Sequence, residues 1–184
     1  MSDDGKIHLS ASGLGTDKDC TRKWGFFYID RISLPSTAAM TTGTMVHKVA
    51  EEWLLSGATP PNNQYGKIFV PGMVHLPTPS PELGIEKYFK FYDGEVVWRG
   101  FIDCLNPENQ EVIDHKVTGS FRWASTSISL ATNIQAILYA KYAADEHGWE
   151  NVTAKWVYYL SKGAPEAMTV EYTFTKEELD SKYA

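Results

Sequence analysis

The sequence has no long hydrophobic run of the kind that crosses a membrane. No apolar segment approaches the roughly 18–20 residues that a membrane-spanning helix needs, so we expect no membrane association. The N-terminal segment, MSDDGKIHLS, is acidic and polar and contains no apolar core of a secretory signal. The lack of both signals predicts a cytoplasmic protein.

Cysteine is scarce, with Cys20 and Cys104 as the two examples. Two thiols cannot supply a four-cysteine zinc or iron–sulfur site within this chain. We therefore expect no iron–sulfur cluster. A reducing compartment also favours free thiols over a disulfide between them.

Positive charge is in deficit. The chain carries 17 Lys and Arg against 23 Asp and Glu, a net charge of −6. This balance argues against a broad basic surface for nucleic acid. It does not exclude a nucleic-acid enzyme, because bound divalent cations and a local basic groove can outweigh a global deficit. The length of 184 residues and a hydrophobic content of 43% are those of a soluble domain with a real core.

Helical patterns dominate the first third of the chain. Ser10 or Ser12 is a candidate N-cap of a short helix. The segment TTGTMVHKVAEEWLL places apolar residues on one face of a second helix, which we expect to end at Gly57. Residues 58–81 hold most of the prolines and predict an irregular loop.

The middle of the chain predicts three consecutive strands, over residues 85–91 and 95–104 and in the segment QEVIDHK. Asp93-Gly94 and the segment NPEN predict the turns of an antiparallel meander. A helix is predicted over residues 133–147, followed by two further strands, AKWVYYLSK and AMTVEYTFT. The ending, TKEELDSKYA, reads as a helix that has just begun, so the native chain is expected to end early or to continue beyond residue 184. This order predicts a single mixed α/β domain.

Acidic and basic residues stand at the ends of the central predicted hairpin, GFIDCLNPENQEVIDHKV. Asp103 and Asp114 lie on adjacent strands, where two carboxylates can converge on one divalent cation. Lys116, two residues after Asp114, points to the same sheet face because strand side chains alternate. Taken alone, the hairpin favours a simpler interpretation, in which both aspartates merely end strands beside turns.

Other polar residues lie where they could complete such a site. His47 and Glu51 are one helical turn apart, as are Gln135 and Tyr139. A histidine can bind a metal, and a glutamine with a tyrosine can orient a lysine or a phosphate. Glu86 is a further carboxylate on the preceding strand. Each of these residues alone is more often an ordinary core or surface residue.

Seven motifs occur in one order: S-x-S-x-L, C-T-R-K-W, G-T-M-V-H, E-K-Y-F, G-F-I-D, D-H-K and Q-A-I-L-Y. The series resembles the PD-(D/E)XK nuclease superfamily. It is most similar to the RecB-type exonuclease branch, which includes the AddB nuclease domain, CRISPR-associated RecB-like exonucleases and phage exonucleases. The resemblance extends from about Leu9 to Phe174. It implies a restriction-endonuclease-like central mixed sheet flanked by helices, with an αβββαβ core and one nuclease domain over 1–184.

The resemblance also implies roles for individual residues. A Mg²⁺ or Mn²⁺ ion would be held by His47, Asp103, Asp114 and the backbone carbonyl of His115. The catalytic set would be Asp103, Asp114, Lys116, Gln135 and Tyr139, with Glu86 as a looser match to an upstream acidic residue. Glu51 is a further candidate accessory carboxylate, on account of its position one helical turn from His47 rather than of the resemblance. Cys20 departs from the pattern, because Thr21 replaces a proline and the later cysteine trio of many relatives is absent.

The implied function is a metal-dependent DNA exonuclease that acts on single strands or duplex ends. Its settings would be recombination, repair or phage DNA processing, in the cytoplasm of a bacterium or a phage-infected host. Two alternatives are an endonuclease, or CRISPR-adaptation-type trimming nuclease, and a non-catalytic DNA-end-binding module. The sequence leaves the oligomeric state open.

Overall fold

The computed structural model describes residues 6–183, the side chain of Tyr183 excepted. Runs of helices and runs of strands follow one another along the chain. The α-helices are α1 (Ala11–Asp19), α2 (Thr21–Trp24), α3 (Ala38–Ser56), α4 (Gln64–Phe69), α5 (Ser127–Leu130), α6 (Ile134–His147) and α7 (Lys176–Tyr183). A π-helix spans Gly25–Ile29, and 3₁₀-helices span Val70–His75 and Phe121–Trp123. Across these described residues, no helix has both the length and the apolar character to cross a membrane.

Six strands form a mixed sheet. They are β1 (Ile7–Leu9), β2 (Gly84–Asp93), β3 (Val96–Asn106), β4 (Glu111–Thr118), β5 (Asn151–Leu160) and β6 (Ala167–Thr175). The hydrogen-bonded order is β1-β3-β4-β5-β6, and β2 also pairs with β3. The pairs β3–β4 and β5–β6 are antiparallel, whereas β1–β3 and β4–β5 are parallel. The predicted mixed α/β class is confirmed, because the long α6 crossover returns the chain parallel to β4.

The chain divides into two compact units, and β2 and β3 each pass from one unit into the other. The small unit contains the described residues up to Ser36 together with Tyr88–Phe101. The large unit contains Thr37–Lys87 and the described residues from Ile102 onward. The expectation that the whole chain forms a single nuclease domain stays a prediction.

The large unit has a hydrophobic core between α3, α4 and the sheet. One face of α3 presents apolar residues at helical spacing, so that they all reach the same surface. The buried cluster comprises Val46, Val49, Ala50, Leu54, Phe69, Cys104, Ile113, Val157 and Tyr159. Gly57 ends α3 in the left-handed conformation, with φ of 67°, as the sequence predicts.

The predicted irregular loop over 58–81 is wrong in its middle part, which contains α4 and the 3₁₀-helix Val70–His75. The side chain of Asn63 caps α4 by accepting hydrogen bonds from two backbone N–H groups of the first turn. Phe69 then enters the core and is fully buried. Pro71 occupies the first turn of the 3₁₀-helix, where its missing N–H is tolerated. A high proline content therefore does not prevent helix formation here.

The small unit consists of β1, α1, α2, the π-helix Gly25–Ile29 and parts of β2 and β3. Ser10 caps α1 and accepts a hydrogen bond from the backbone N–H of Gly13 at 3.1 Å, so the first of the two predicted caps is confirmed. β1 pairs with β3 in parallel. β1 is not predicted by the sequence, because its three residues are too few to show an alternating pattern.

Candidate active site

Asp103 and Asp114 lie at the end of the antiparallel pairing between β3 and β4, each one residue beyond the pair Cys104–Ile113. The antiparallel register includes the pair Cys104–Ile113. One residue earlier in β3, the Asp103 side chain accepts a hydrogen bond from the backbone N–H of His115, with Oδ2 at 2.8 Å. A strand N–H therefore fixes the orientation of this carboxylate. The predicted approach of the two aspartates follows from this local geometry.

Asp114 is buried, with 2% of its surface exposed. Its Oδ2 lies 2.5 Å from the Lys116 ammonium, and its Oδ1 accepts a hydrogen bond from the Gln135 amide at 2.6 Å. The Lys116 contact lacks the alignment of a hydrogen bond, and Oδ2 has no other partner among the described residues. The short separation still makes the attraction strong, since ion-pair energy depends on distance more than on angle.

Gln135 connects the residues that the sequence placed on different elements. Its Nε2 donates to Asp114 and also to the hydroxyl of Tyr139, at 2.9 Å. Its Oε1 accepts from the Lys116 ammonium at 3.1 Å. Asn133 caps α6 and holds the first turn that carries Gln135. The amide therefore fixes the lysine and the carboxylate relative to each other.

His47 approaches the carboxylates from α3. Its Nδ1 lies 3.4 Å from Oδ2 of Asp103. Burial lowers the pKa of His47, against the opposing effects of the Asp114 charge and the backbone carbonyl of His115. A lowered pKa favours the neutral imidazole, which is the form that binds metal ions.

The two aspartates are electrostatically unfavourable neighbours. Burial, reinforced by the negative charge of Asp114, raises the pKa of Asp103 to about 8, and the backbone N–H of His115 only partly offsets this. Two buried carboxylates at close range repel each other when both are ionised. Additional positive charge at this point would stabilise both in the ionised form.

Glu51 and Glu86 line a cavity of about 750 Å³ together with His47. Burial raises the pKa of Glu86, and the charges of Glu51 and Asp114 add to this effect. Glu86 has a φ of 47°, a left-handed conformation that a residue with a Cβ seldom adopts. Backbone strain of this kind concentrates at functional sites. The structure thus places both accessory carboxylates beside the predicted histidine.

Aromatic residues of β5 and the side chain of His115 also lie beside the candidate site. Their contribution was not predicted from the sequence. The His115 ring is 3% exposed, and its Nδ1 lies 2.9 Å from the hydroxyl oxygen of Tyr159. Burial lowers the pKa of His115 to about 3, so the ring is neutral. The Lys116 ammonium lies 5.5 Å from the centroid of the Trp156 ring. The pairing of β4 with β5 decides these contacts, and no local motif signals it.

The donor groups fit Mg²⁺ or Mn²⁺ in chemical type, since carboxylate oxygens are the ligands that these ions prefer. Oδ2 of Asp114 is buried and has only the Lys116 ammonium beside it, so positive charge is favourable at this point. As they stand, however, no three His, Cys, Asp or Glu side chains within residues 6–183 form a group that could hold a metal ion. The Asp114 carboxylate faces Lys116 and Gln135 instead.

Comparison with known proteins shows similarity at the level of structure alone. No family model matches the chain, and no curated protein matches it in sequence. A crystal structure from Eubacterium rectale, described as that of a "putative exonuclease", has a TM-score of 0.66 to this chain at 14% identity, and the match covers 98% of this chain and 77% of that one. The match to the crystal structure of SSO0001 covers 97% of this chain and 74% of that one at 12% identity. Its TM-score of 0.48 is too low to carry an argument.

The Eubacterium rectale likeness establishes a shared fold. It agrees with the expected restriction-endonuclease-like arrangement of a mixed sheet flanked by helices. Because the same fold can carry different chemistries, the function must be argued from the site.

Proposed function

We propose that the protein is a metal-dependent deoxyribonuclease that hydrolyses phosphodiester bonds at DNA ends. The proposal includes kinship with the RecB-type exonucleases, which the order of the sequence motifs supports. It places the activity in recombination, repair or phage DNA processing in the cytoplasm.

A single observation carries the proposal: the Gln135 amide binds Asp114, Lys116 and Tyr139 at the same time. Two motifs, D-H-K on β4 and Q-A-I-L-Y on α6, thereby meet at one point. A half-buried amide that bonds a carboxylate, an ammonium and a phenol fixes their positions, as a preorganised catalytic site requires. The fold shared with a protein described as a "putative exonuclease" adds support.

Asp103, Asp114, His47 and the backbone carbonyl of His115 would hold the Mg²⁺ or Mn²⁺ ion. When bound, such an ion polarises a phosphate oxygen and lowers the pKa of a coordinated water. The His47 ring, kept neutral by burial, has a nitrogen lone pair available for binding. The hydrogen bond from the backbone N–H of His115 orients the Asp103 carboxylate without blocking its second oxygen.

Lys116 supplies positive charge where negative charge develops on the phosphate. Its ammonium has donors left after the bond to Gln135, because a lysine carries three N–H groups. An ammonium held in place by neighbouring groups stabilises a transition state without reorganisation at the moment of reaction. The Lys116 ammonium also lies over the Trp156 ring, and a cation–π contact of this kind helps to hold it in place.

The direct test is cleavage of end-labelled linear DNA with Mn²⁺, comparing the wild type with Lys116→Ala. We expect the variant to lose activity by at least about 10²-fold, the typical effect of removing one electrostatic stabiliser. Lys67→Ala is the matched control, since Lys67 is exposed on α4 of the same unit. Equal cleavage by Lys116→Ala and the control would contradict the proposal.

Covalently closed circular DNA distinguishes the mode of attack. An exonuclease leaves the circle intact and degrades it only after linearisation. Cutting of the closed circle would favour the endonuclease alternative. Binding of DNA ends without cleavage under any divalent cation would favour a non-catalytic module.

A further inference from the structure

The small unit contains a cavity of its own, about 810 Å³ in volume. Sites for small ligands commonly measure about 300–1,000 Å³, so this cavity has the size of a binding site. Its walls come from β1, α1, α2, the π-helix and β3. The lining residues are Lys6, Ile7, His8, Leu9, Ser10, Gly13, Trp24, Tyr28, Ile29, Arg31 and Arg99.

The cavity is locally cationic in a protein of net charge −6. Lys6, Arg31 and Arg99 line it, and no Asp or Glu is among the described residues that do. Within residues 6–183, neither Arg31 nor Arg99 forms an ion pair, and both are exposed. Guanidinium groups that are not engaged by carboxylates are available for phosphate, whose geometry they match.

Aromatic rings form another part of the wall. The rings of Trp24 and Tyr28 stack with their centroids 5.7 Å apart and their planes 20° from parallel. Tyr28 is 45% exposed, which leaves ring surface available to a ligand. Gly13 allows α1 to pack closely against the Tyr28 ring, because a Cβ at this position would lie 3.4 Å from ring atoms. Aromatic surfaces of this kind stack nucleobases, largely without regard to sequence.

Cations for a phosphate and aromatic rings for a base thus occur in one cavity. We propose that the cavity of the small unit binds a nucleotide unit, with its base against Tyr28 and its phosphate beside Arg31 and Arg99. The nucleotide can belong to a single DNA strand or be a free mononucleotide, since both present the same chemistry. None of its lining residues belongs to the candidate active site, and all of them are part of the small unit.

The experiment measures binding of a fluorescently labelled oligothymidylate by anisotropy in EDTA, where no metal-dependent cleavage occurs. We expect the double variant Arg31→Gln, Arg99→Gln to bind about tenfold more weakly. Its plot of log affinity against log salt concentration should be shallower by about 0.7, since each phosphate that is no longer neutralised on a single strand removes about 0.7. Tyr28→Leu should also weaken binding about tenfold, with no change in slope.

The double variant Arg22→Gln, Lys23→Gln is the matched control. Both residues are exposed in the small unit outside the cavity lining, and the change in charge is the same. A control that weakens binding as much as the cavity variant, or a cavity variant that binds like the wild type, would overturn the proposal. Thermal unfolding checks that each variant folds. If Tyr28→Leu does not fold, the variant at the two exposed arginines still tests the site.

Competition identifies the source of the nucleotide. Displacement of the probe by dTMP at oligomer-like affinity assigns the cavity to free nucleotides, and displacement by unlabelled oligomer alone assigns it to a strand. Either result supports the site. Because the binding assay is run in EDTA and needs no cleavage, a failure of the proposed catalytic function is distinguishable from a failure of this inference.

Discussion

The large and small units use hydrophobic residues in opposite ways. Almost all fully buried hydrophobic side chains of the described chain belong to the large unit, and the small unit contributes Phe89 and Val97. By contrast, most of the exposed large hydrophobic residues belong to the small unit, although it is the shorter of the two. They are Ile7, Phe26, Tyr28, Ile29, Ile32, Leu34, Tyr88, Tyr92 and Phe101.

This difference indicates that the large unit provides stability and the small unit provides surface for contacts. The buried core of the large unit offsets the cost of placing Asp103 and Asp114 close together, because a polar site with repelling charges needs a stable scaffold. The exposed rings of the small unit contribute little to stability. They are available for contact with other molecules, as exposed aromatic surfaces commonly are.

The largest expected effect is the loss of stability on truncating a buried apolar residue of the large unit, compared with the same kind of change at an exposed residue of the small unit. Leu54→Ala in the fully buried core should lower the free energy of unfolding by about 2–5 kcal/mol. Ile29→Ala, at a residue that is 67% exposed in the small unit, should change it by less than about 0.5 kcal/mol. Urea denaturation followed by tryptophan fluorescence measures both. Equal losses would break the contrast between the units.

Removing the central amide of the candidate site should reduce cleavage while leaving the core intact. Gln135→Leu loses the bonds to Asp114, Lys116 and Tyr139, and we expect a fall of about 10–100-fold in turnover, as for other residues that orient catalytic groups. Gln64→Leu on the exposed start of α4 is the control. Cleavage is measured with Mn²⁺ at saturating DNA. A loss confined to DNA affinity would count against an orienting role.

The burial of Asp103, reinforced by repulsion from Asp114, predicts a pH-dependent stability. The pKa of Asp103 is raised to about 8 in the folded protein, so the folded state holds a proton that the unfolded chain releases near pH 4. The stabilisation from the protonated form is present below about pH 4 and is lost as the pH rises through about 8. Asp103→Asn should therefore be more stable than the wild type at pH 8 in EDTA, by about 1–2 kcal/mol.

Thermal unfolding between pH 4 and pH 8 measures this difference. Asp19→Asn is the control, because it makes the same change at an exposed position of the small unit. Added Mn²⁺ should raise the melting temperature of the wild type more than that of Asp103→Asn. A variant that is less stable than the wild type at pH 8 would contradict the electrostatic account.

The smallest expected effect concerns backbone strain. Glu86→Gly should stabilise the large unit by about 1 kcal/mol, because glycine adopts the observed φ of 47° without a Cβ clash. Lys87→Gly, the next residue of β2, has no positive φ and should be destabilising by a similar amount. Chemical denaturation measures both variants. A loss of stability in Glu86→Gly would show that its side-chain contacts outweigh the strain.

Local patterns predicted most of the secondary structure. The helix over 133–147 is confirmed as α6, with Asn133 as its cap and Gly148 at a φ of 68° after its end. Caps and left-handed glycines are encoded by neighbouring residues, so sequence alone reveals them. The failures have non-local causes. β1 requires pairing with β3, and α4 is held by the burial of Phe69 in a distant core.

The predicted site residues do come together, although their roles stay predictions. Alternation along β4 was enough to place Asp114 and Lys116 on one face. The helical period was enough to pair Gln135 with Tyr139. Neither rule specifies that α6 faces β4, which is what allows the amide of Gln135 to reach Lys116 and Asp114.

The sequence by itself determined the order of helices and strands and the residue types available for chemistry, because both depend on short-range periodicity and on side-chain identity. Only the tertiary structure decided that Asp114 is buried beside an ammonium, that His47 lies near Asp103, and that cations and aromatic rings share a cavity in the small unit. These arrangements depend on packing between segments distant in sequence, where burial and mutual distance set the energy of each charge.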